Sequence, residues 1–281
     1  MPRAFRPRKA SKYSWKACLF LAALAFANDP QILQVVHAQQ DPSTLNGGSL
    51  LAMAGTDCVA LAVDKRFGSG PALVNIGPRN VLAPSSTVLV GFTGLEGDVQ
   101  SLQHELTALV SSQQSRGLGF MTTVSDQNRR SKLSPRVMAS LTSHVLYGRR
   151  QAPYYVEPLV IGLQPEPISS KGASDQDEPK SMSTISSLPQ VLYRPFLCSM
   201  DMIGATSESK SFVCAGAASK SLFGTAEALW EPNMDRERLI EVCGKAFLSA
   251  LERDCFSGYG AIVYLITKDG IVEYDLAGRN D

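Results

Sequence analysis

Apolar residues occur along the chain in two kinds of block, continuous short runs and stripes spaced three or four residues apart. Two continuous runs, at 49–54 and 58–64, flank the turn-forming sequence Gly55-Thr56-Asp57. This spacing predicts a β-hairpin. Because neither run alternates cleanly with polar residues, we expect both strands to be buried on both faces. A third strand of the same kind is predicted over 87–93.

Stripes of apolar residues predict two helices in the next part of the chain. The first stripe repeats at intervals of three or four residues and comprises Val99, Leu102, Leu106 and Leu109. The second helix is predicted over 134–147, with Ser134 as the N-cap and Pro135 as the first helical residue.

A second group of strands and a second pair of helices follow. Strands are predicted over 156–163, 196–203 and 212–217, and helices over 220–229 and 235–254. Asp235 is expected to cap the first turn of the last helix. A C-terminal hairpin is predicted from two further strands, at 261–267 and 271–276. Two packed sheets between helical layers would satisfy this order, although the pattern alone establishes only an α+β fold.

Composition favours one large domain without nucleic-acid or redox chemistry. The chain has 281 residues, of which 44% are apolar, and a net charge of +1. Its basic residues are scattered outside the N-terminus, so no phosphate-binding face is predicted. Six cysteines occur without C-x-x-C spacing, which argues against a zinc site or a redox pair. We therefore expect buried, reduced thiols and neither a metal nor a cofactor.

The first 45 residues predict a separate N-terminal extension. A basic stretch over 1–16 precedes a short apolar run over 17–27 and small residues near Ala27 and Ala38, a pattern typical of a secretory signal peptide. The apolar run is shorter than the roughly 20 residues that span a bilayer, so a membrane anchor is not expected.

A polar segment interrupts the second half of the chain. Residues 166–190 are rich in Ser, Pro, Lys and Asp and show no hydrophobic periodicity. Such a segment cannot offset its ordering entropy, so we expect an exposed, mobile insertion. A docking or phosphorylation loop that uses its serines is the functional alternative.

Several motifs, in one order and spacing, resemble proteasome beta subunits. They are GGSLLAMAG at 47–55, CVALAVDKRFG at 58–68, GLEGDVQ at 94–100, PYYVEP at 153–158, SMDMIG at 199–204, WEPNMD at 230–235 and RDCFSG at 253–258. The resemblance runs from about Gly47 to the C-terminus. It implies a domain over 46–281 with the four-layer αββα sandwich of N-terminal-nucleophile hydrolases.

Catalytic members of this family use an N-terminal threonine, whose hydroxyl attacks the peptide carbonyl while its own amine moves the proton. The residue that matches this nucleophile is Gly48, which has no side chain. Ser49 is adjacent, but strand alternation would turn its side chain to the opposite face. The resemblance therefore implies a subunit without catalytic residues of its own.

Other positions of the family's active site are retained or lost. Asp64 matches the supporting aspartate of the family. Asn80 stands where the family has a lysine, although a shift of one residue would bring Arg79 there. A serine near the active site of catalytic members is matched by Ala217.

Two further matched positions keep the residue types of the family. Asp254 and Ser257 match a supporting aspartate and serine, and we expect them to hold a turn. Weak binding of Mg²⁺ or Ca²⁺ by oxygen atoms near Leu251, Asp254 and Ser257 is an alternative that the sequence leaves open.

The resemblance implies a structural role in the 20S core particle, in support of ATP- and ubiquitin-dependent protein degradation. The implied partners are the neighbouring beta type-2 and beta type-4 subunits, the opposite beta ring and the alpha ring, with no nucleic acid and no membrane. Asp201 matches a region that faces a neighbour's substrate pocket, where a carboxylate would favour basic side chains. A solvated aspartate at a strand end is the alternative interpretation.

Two other function classes stay open at this point. An active threonine peptidase would need a threonine after a glycine at the start of the domain, and none stands there. A secreted or organelle-targeted protein of the same fold would need cleavage within residues 1–38. Because beta subunits assemble in the cytoplasm and nucleus, we expect that location and not secretion. Residues 1–45 would then be a removable or disordered extension, or an upstream exon wrongly joined to the gene.

Overall fold

The computed structural model describes residues 42, 45–77, 80–115, 133–167 and 191–279. The chain divides into two units, residues 1–41 and 42–281, and the described residues all lie in the second unit. The signal-like features predicted at 1–38 and most of the predicted insertion lie outside the described residues.

Sixteen helices and strands are found in the described residues. In chain order they are β1 (Ser49–Ala54), β2 (Val59–Asp64), β3 (Arg66–Ser69), β4 (Ala72–Ile76), β5 (Val81–Ser85), β6 (Val88–Gly94), α1 (Glu96–Ser115), α2 (Pro135–Gly148), β7 (Val156–Pro167), β8 (Val191–Met200), β9 (Thr206–Ser209), β10 (Phe212–Gly216), α3 (Ser219–Leu229), α4 (Arg236–Leu251), β11 (Ala261–Thr267) and β12 (Gly270–Leu276).

The strands form two five-stranded antiparallel sheets and one two-stranded hairpin. The first sheet has the order β10-β1-β2-β11-β12, and the second has the order β5-β6-β7-β8-β9. The hairpin pairs β3 with β4. In the first sheet, β1 pairs with β2 on one side and with β10 on the other, so its backbone is bonded along both edges.

Strand alternation explains the layered core. Every residue of β1 is buried, and successive side chains point to opposite faces. Leu50 packs between the two sheets with Leu89 and Leu159. Leu51 packs on the other face, in a cluster that includes Phe247 of α4.

A third core lies on the far side of the second sheet. It joins β6, β7 and β8 to α1 and α2 through residues such as Phe92, Leu102 and Met138. Helices α3 and α4 pack on the first sheet, whereas α1 and α2 pack on the second. The predicted αββα sandwich is therefore confirmed, with three apolar layers between four layers of secondary structure.

The periodic elements are confirmed, with small shifts at their ends. Asp235 caps α4 as predicted, because its Oδ1 accepts a hydrogen bond of 2.9 Å from the amide of Arg238. Ser134 is the N-cap residue of α2 and Pro135 opens the helix, as predicted, but the Ser134 side chain makes no capping hydrogen bond. The Ser134 hydroxyl donates to Gln164 Oε1 at 2.6 Å instead of accepting from the helix.

Some predicted boundaries are wrong, and four short strands were not predicted. Glu166 and Pro167, assigned to the insertion, continue β7. The strand predicted over 196–203 ends at Met200, so Asp201 begins a loop. The unpredicted strands β3, β4, β5 and β9 are only four or five residues long. All five residues of β4 are exposed, and β5 contains Pro84, so neither carries the usual signal of a buried strand.

Candidate functional site

Gly48 lies immediately before β1 in a backbone conformation that suits glycine, with φ of +98°. Its carbonyl oxygen accepts two hydrogen bonds, from Thr93 Oγ1 at 3.1 Å and from the amide of Ala217 at 3.0 Å. A Cβ added to Gly48 would lie 3.7 Å from both Asp64 Oδ1 and Thr93 Oγ1. The position therefore faces Asp64, but it offers no hydroxyl or thiol.

Asp64 is a buried carboxylate at the end of β2, with only 7% of its surface exposed. Its Oδ1 accepts a hydrogen bond of 3.2 Å from the amide of Ser49. Its Oδ2 has no hydrogen-bond partner. Burial raises the pKa of Asp64 from 3.8 to about 7, and the nearby Asp254 adds to this increase. The amides of Ser49 and Gly258 and the charge of Arg66 oppose it only in part.

Asn80 stands beside Asp64 without supplying a positive charge. Both residues line one small crevice, and Asn80 Oδ1 is also buried without a hydrogen-bond partner. The crevice has a volume of about 10 Å³, close to the space that one water molecule needs. Arg79, the alternative cation, lies outside the described residues.

Arg66 is a buried cation of the site that sequence reasoning missed. Its guanidinium group donates to three carbonyl oxygens, those of Phe256 at 3.2 Å, Gly70 at 2.9 Å and Pro71 at 3.2 Å. Through these hydrogen bonds, the guanidinium holds the loop after β3 against the segment that precedes Ser257. The signal in the sequence was weak, since one arginine at a strand start is common in exposed positions too.

Ser49, Ser257 and Asp254 form a chain of side-chain hydrogen bonds. Ser257 Oγ donates to Asp254 Oδ2 at 2.7 Å, and the hydroxyl oxygens of Ser49 and Ser257 are 2.8 Å apart. Because the proton of Ser257 is directed to the carboxylate, Ser49 must donate to Ser257. The Ser49 oxygen also accepts from the amide of Ala218 at 3.0 Å. This serine is therefore fixed in the structure, and its hydroxyl proton is used in the hydrogen bond to Ser257.

Asp254 also stabilises the turn that carries Ser257. Its Oδ1 accepts a hydrogen bond of 3.2 Å from the amide of Phe256. The structure thus places Asp254 and Ser257 next to Ser49, in roles that hold backbone and side chains together. No group of three or more His, Cys, Asp or Glu side chains that could hold a metal occurs within the described ranges.

Ala217 contributes its backbone to the site, whereas its methyl side chain offers no hydroxyl. The amide of Ala217 donates to the carbonyl of Gly48, and the preceding Gly216 has φ of +97°. A Cβ on Gly216 would come within 2.3 Å of the Gly48 oxygen. Thr93 and the amide of Ala217 therefore fix the carbonyl of Gly48, and Gly216 leaves room for it. Sequence reasoning assigned no role to Thr93 or Gly216.

Asp201 lies apart from this cluster, in the exposed loop between β8 and β9. Its Oδ1 accepts two backbone hydrogen bonds, from Ile203 at 3.0 Å and from Ala205 at 2.7 Å. The carboxylate therefore shapes its own loop, and Met202 and Ile203 are exposed beside it.

The cysteines form no second reactive site in the part of the chain that the structure describes. Five of them are free thiols, and Cys18 lies outside the described residues. Burial raises the pKa of Cys58 and Cys198 to about 11 and that of Cys243 to about 12. Burial also raises the pKa of Cys214. Only Cys255 of the five is exposed.

Comparison with known proteins agrees with this architecture. The profile of the proteasome subunit family matches residues 44–169 and 167–266. The chain is 35% identical over 241 residues to proteasome subunit beta type-3 of Saccharomyces cerevisiae, which covers 86% of the chain and 99% of the relative. It is 32% identical over 236 residues to proteasome subunit beta type-3 of Drosophila melanogaster, covering 84% of the chain and 97% of the relative.

A plant relative gives a similar result. Proteasome subunit beta type-3-A of Arabidopsis thaliana is 33% identical over 236 residues, again covering 84% of the chain and 97% of the relative. The family profile covers well over half of the chain, and each of the three relatives is matched over nearly its whole length. The chain therefore belongs to the proteasome subunit family.

Proposed function

We propose that this chain is a structural, non-catalytic beta subunit of the 20S core particle. The observation that carries the proposal is Gly48, which faces Asp64 without a side chain. The chemistry of this family requires a side-chain nucleophile at this position, and residue 48 supplies none.

Exposed apolar side chains support assembly with other subunits. The hairpin strand β4 exposes Leu73, Val74 and Ile76 together, by 40%, 57% and 49%. Three large apolar side chains exposed on one short strand favour contacts with other proteins. We propose that beta type-2 and beta type-4 subunits, the opposite beta ring and the alpha ring provide these contacts.

The same assignment implies where the chain works. We propose the cytoplasm and the nucleus as its location and ubiquitin-dependent protein degradation as its process. No helix in the described part of the chain is long and apolar enough to cross a membrane. The extension over 1–45 and the insertion over 166–190 remain predictions from sequence, apart from Glu166 and Pro167, which belong to β7.

A covalent inhibitor tests whether the chain lacks a catalytic nucleophile. We expect an epoxyketone inhibitor directed at N-terminal threonines to leave this chain unmodified in purified core particles, because residue 48 has no side chain to react. Intact-protein mass spectrometry measures the result, and the catalytic subunits of the same particles serve as the positive control. A stoichiometric adduct on this chain would contradict the proposal.

Asp201 is proposed to line the substrate pocket of a neighbouring subunit. Asp201→Ala is then expected to reduce cleavage after basic residues by roughly 2- to 5-fold, as for the loss of a partly exposed charge contact worth up to about 1 kcal/mol. Fluorogenic peptides assayed with purified particles measure each activity separately.

The matched control is Asp201→Asn, since its amide oxygen retains the acceptor for Ile203 and Ala205 but carries no charge. A pocket role requires both variants to lose activity toward basic residues. If only Asp201→Ala loses activity, the carboxylate acts by shaping the loop. If neither variant loses it, Asp201 has no part in the pocket.

A further inference from the structure

Two buried oxygen atoms at the small crevice beside Asp64 receive no hydrogen bond within the part of the chain that the structure describes. They are Asp64 Oδ2 and Asn80 Oδ1, and both residues line the crevice of about 10 Å³. A buried acceptor without a donor destabilises a fold, so few such atoms occur in native proteins. Two of them at one crevice indicate a small donor that serves both.

The two side chains belong to different sheets, and backbone contacts hold each residue in place. Asp64 ends β2 of the first sheet, where it pairs with Ala261 of β11. Asn80 lies just before β5 of the second sheet, and its carbonyl oxygen accepts from the amide of Phe92 at 2.8 Å. A molecule bound to both side chains would therefore link the two sheets.

The side-chain donors nearest to these atoms are used elsewhere. Asn46 and Arg66 also line the crevice. The Nδ2 of Asn46 donates to the carbonyl of Gly68 at 3.0 Å, and the guanidinium of Arg66 donates to three carbonyl oxygens. Of the described residues, none donates to Asp64 Oδ2 or Asn80 Oδ1.

The size and the ligands of the crevice favour a water molecule over a metal ion. About 10 Å³ is close to the least space that holds one water, and it is too small for a larger ligand. Hard cations such as Ca²⁺ and Mg²⁺ take about six to eight oxygen ligands. The crevice offers two unsatisfied side-chain oxygens and is also lined by the cationic Arg66. The two hydrogens of one water match the two acceptors.

We infer that Asp64 Oδ2 and Asn80 Oδ1 form the binding site of a single buried water molecule, which donates one hydrogen bond to each oxygen and links the two sheets. The site does not depend on assembly into the core particle or on the lack of a nucleophile at Gly48. Asn80 accepts a hydrogen bond here, whereas a lysine, which the family has at this position, could only donate one. The exchange of lysine for asparagine therefore changes what the crevice can hold.

A high-resolution density map of the protein, in the assembly in which it is purified, tests the site. We expect one isolated peak about 2.5 to 3.0 Å from both Asp64 Oδ2 and Asn80 Oδ1, the range of hydrogen bonds that a water donates. Absence of a peak would overturn the inference, whether the two side chains touch directly or stay apart. A guanidinium group of Arg79 in place of the peak would overturn it too.

The same map and a cation exchange separate water from an ion. A peak closer than about 2.5 Å to either oxygen would indicate a small metal ion and not water. For a larger monovalent ion, crystals are transferred from NaCl to RbCl, and the anomalous scattering of Rb⁺ is measured. We expect no anomalous peak at the crevice. An anomalous peak there would assign the site to a cation and overturn the inference.

A variant of Asn80 tests its part in the site. Asn80→Leu has a side chain of similar size without an acceptor, so we expect the peak to be lost. Asn75→Leu is the matched control, since Asn75 lies on the exposed strand β4 and its Oδ1 accepts from the amide of Ile76. The peak is expected to remain in this control.

A peak of unchanged height in Asn80→Leu would show that Asn80 does not bind the water, and the inference would be wrong. If Asn80→Leu does not fold, the map and the Rb⁺ exchange of the unaltered protein still decide whether the water is present.

Discussion

Gly47→Ala is expected to lower the free energy of unfolding by about 2 to 5 kcal/mol. Gly47 has φ of +73°, which costs an alanine about 1 to 2 kcal/mol. Its Cβ would also lie 2.2 Å from the carbonyl oxygen of Phe256, and relief of such a clash costs about 1 to 3 kcal/mol more. The Phe256 carbonyl cannot move freely, because the guanidinium of Arg66 is bonded to it. Urea denaturation of the full-length chain measures the change.

Alanine variants of two other glycines separate the cost of backbone strain from the cost of the steric clash. Gly70 has φ of +58°, and nothing lies within 4 Å of an added Cβ, so Gly70→Ala reports backbone strain alone. Gly48→Ala adds ordinary contacts at 3.7 Å to a φ of +98°. We expect about 1 to 2 kcal/mol for Gly70→Ala and about 1 to 3 kcal/mol for Gly48→Ala. If Gly47→Ala lowers the free energy of unfolding no more than Gly70→Ala does, the predicted clash with the Phe256 carbonyl is wrong.

The second large effect is a pH dependence of stability caused by Asp64. The pKa of Asp64 is about 7 in the folded chain against an ordinary 3.8. Between these values the folded state keeps the proton and the unfolded state has released it, so this contribution to stability is full below pH 3.8 and declines until about pH 7. The decline amounts to about 1.4 kcal/mol for each pH unit, or about 2 to 3 kcal/mol between about pH 5 and pH 8.

Asp64→Asn isolates the contribution of Asp64 to the pH dependence. All other carboxylates are present in both the variant and the unaltered chain, so their titration changes the stability of both alike. The asparagine keeps an oxygen acceptor for the amide of Ser49 and carries no charge to desolvate. We expect the variant to gain stability relative to the unaltered chain as pH rises from about 5 to 8. Asp275→Asn, which removes an exposed carboxylate from β12, is the control. Parallel stability profiles for the unaltered chain and Asp64→Asn would contradict the prediction.

The spacing of apolar residues was enough to predict most of the helices and strands. Runs such as β1 and β2 are apolar at nearly every position, and the structure buries them between a helical layer and a second sheet. The stripe of α1 faces the same core as Phe92. The resemblance supplied the layer order, which the α+β pattern alone left undecided.

The short elements could not be predicted because their stability does not come from burial. Strand β4 is exposed throughout, and β3 depends on Arg66, whose partners are carbonyl oxygens distant in sequence from one another. The hydroxyl of Ser134 bonds to Gln164 instead of its own helix, a choice decided by tertiary packing. Local propensity carries no information about such partners.

The resemblance named several residues of the candidate site but not their contacts. The structure places Gly48 beside both Asp64 and Ala217, and it places Asn80 at the same crevice as Asp64. The role of Thr93 depends on where its side chain meets a backbone group far along the chain, and the same holds for Asn46. No pattern along the sequence indicates these contacts.

The differing exposure of the thiols allows one cysteine of the described domain to be labelled selectively for spectroscopy. Burial keeps Cys58, Cys198 and Cys243 in the unreactive thiol form, with pKa values of about 11 to 12, whereas Cys255 is open to solvent. Within the described domain, a maleimide dye or spin label would therefore attach at Cys255 first. That position is two residues from Ser257, so a reporter there would sense the hydrogen bonds among Ser49, Ser257 and Asp254 without any engineered substitution.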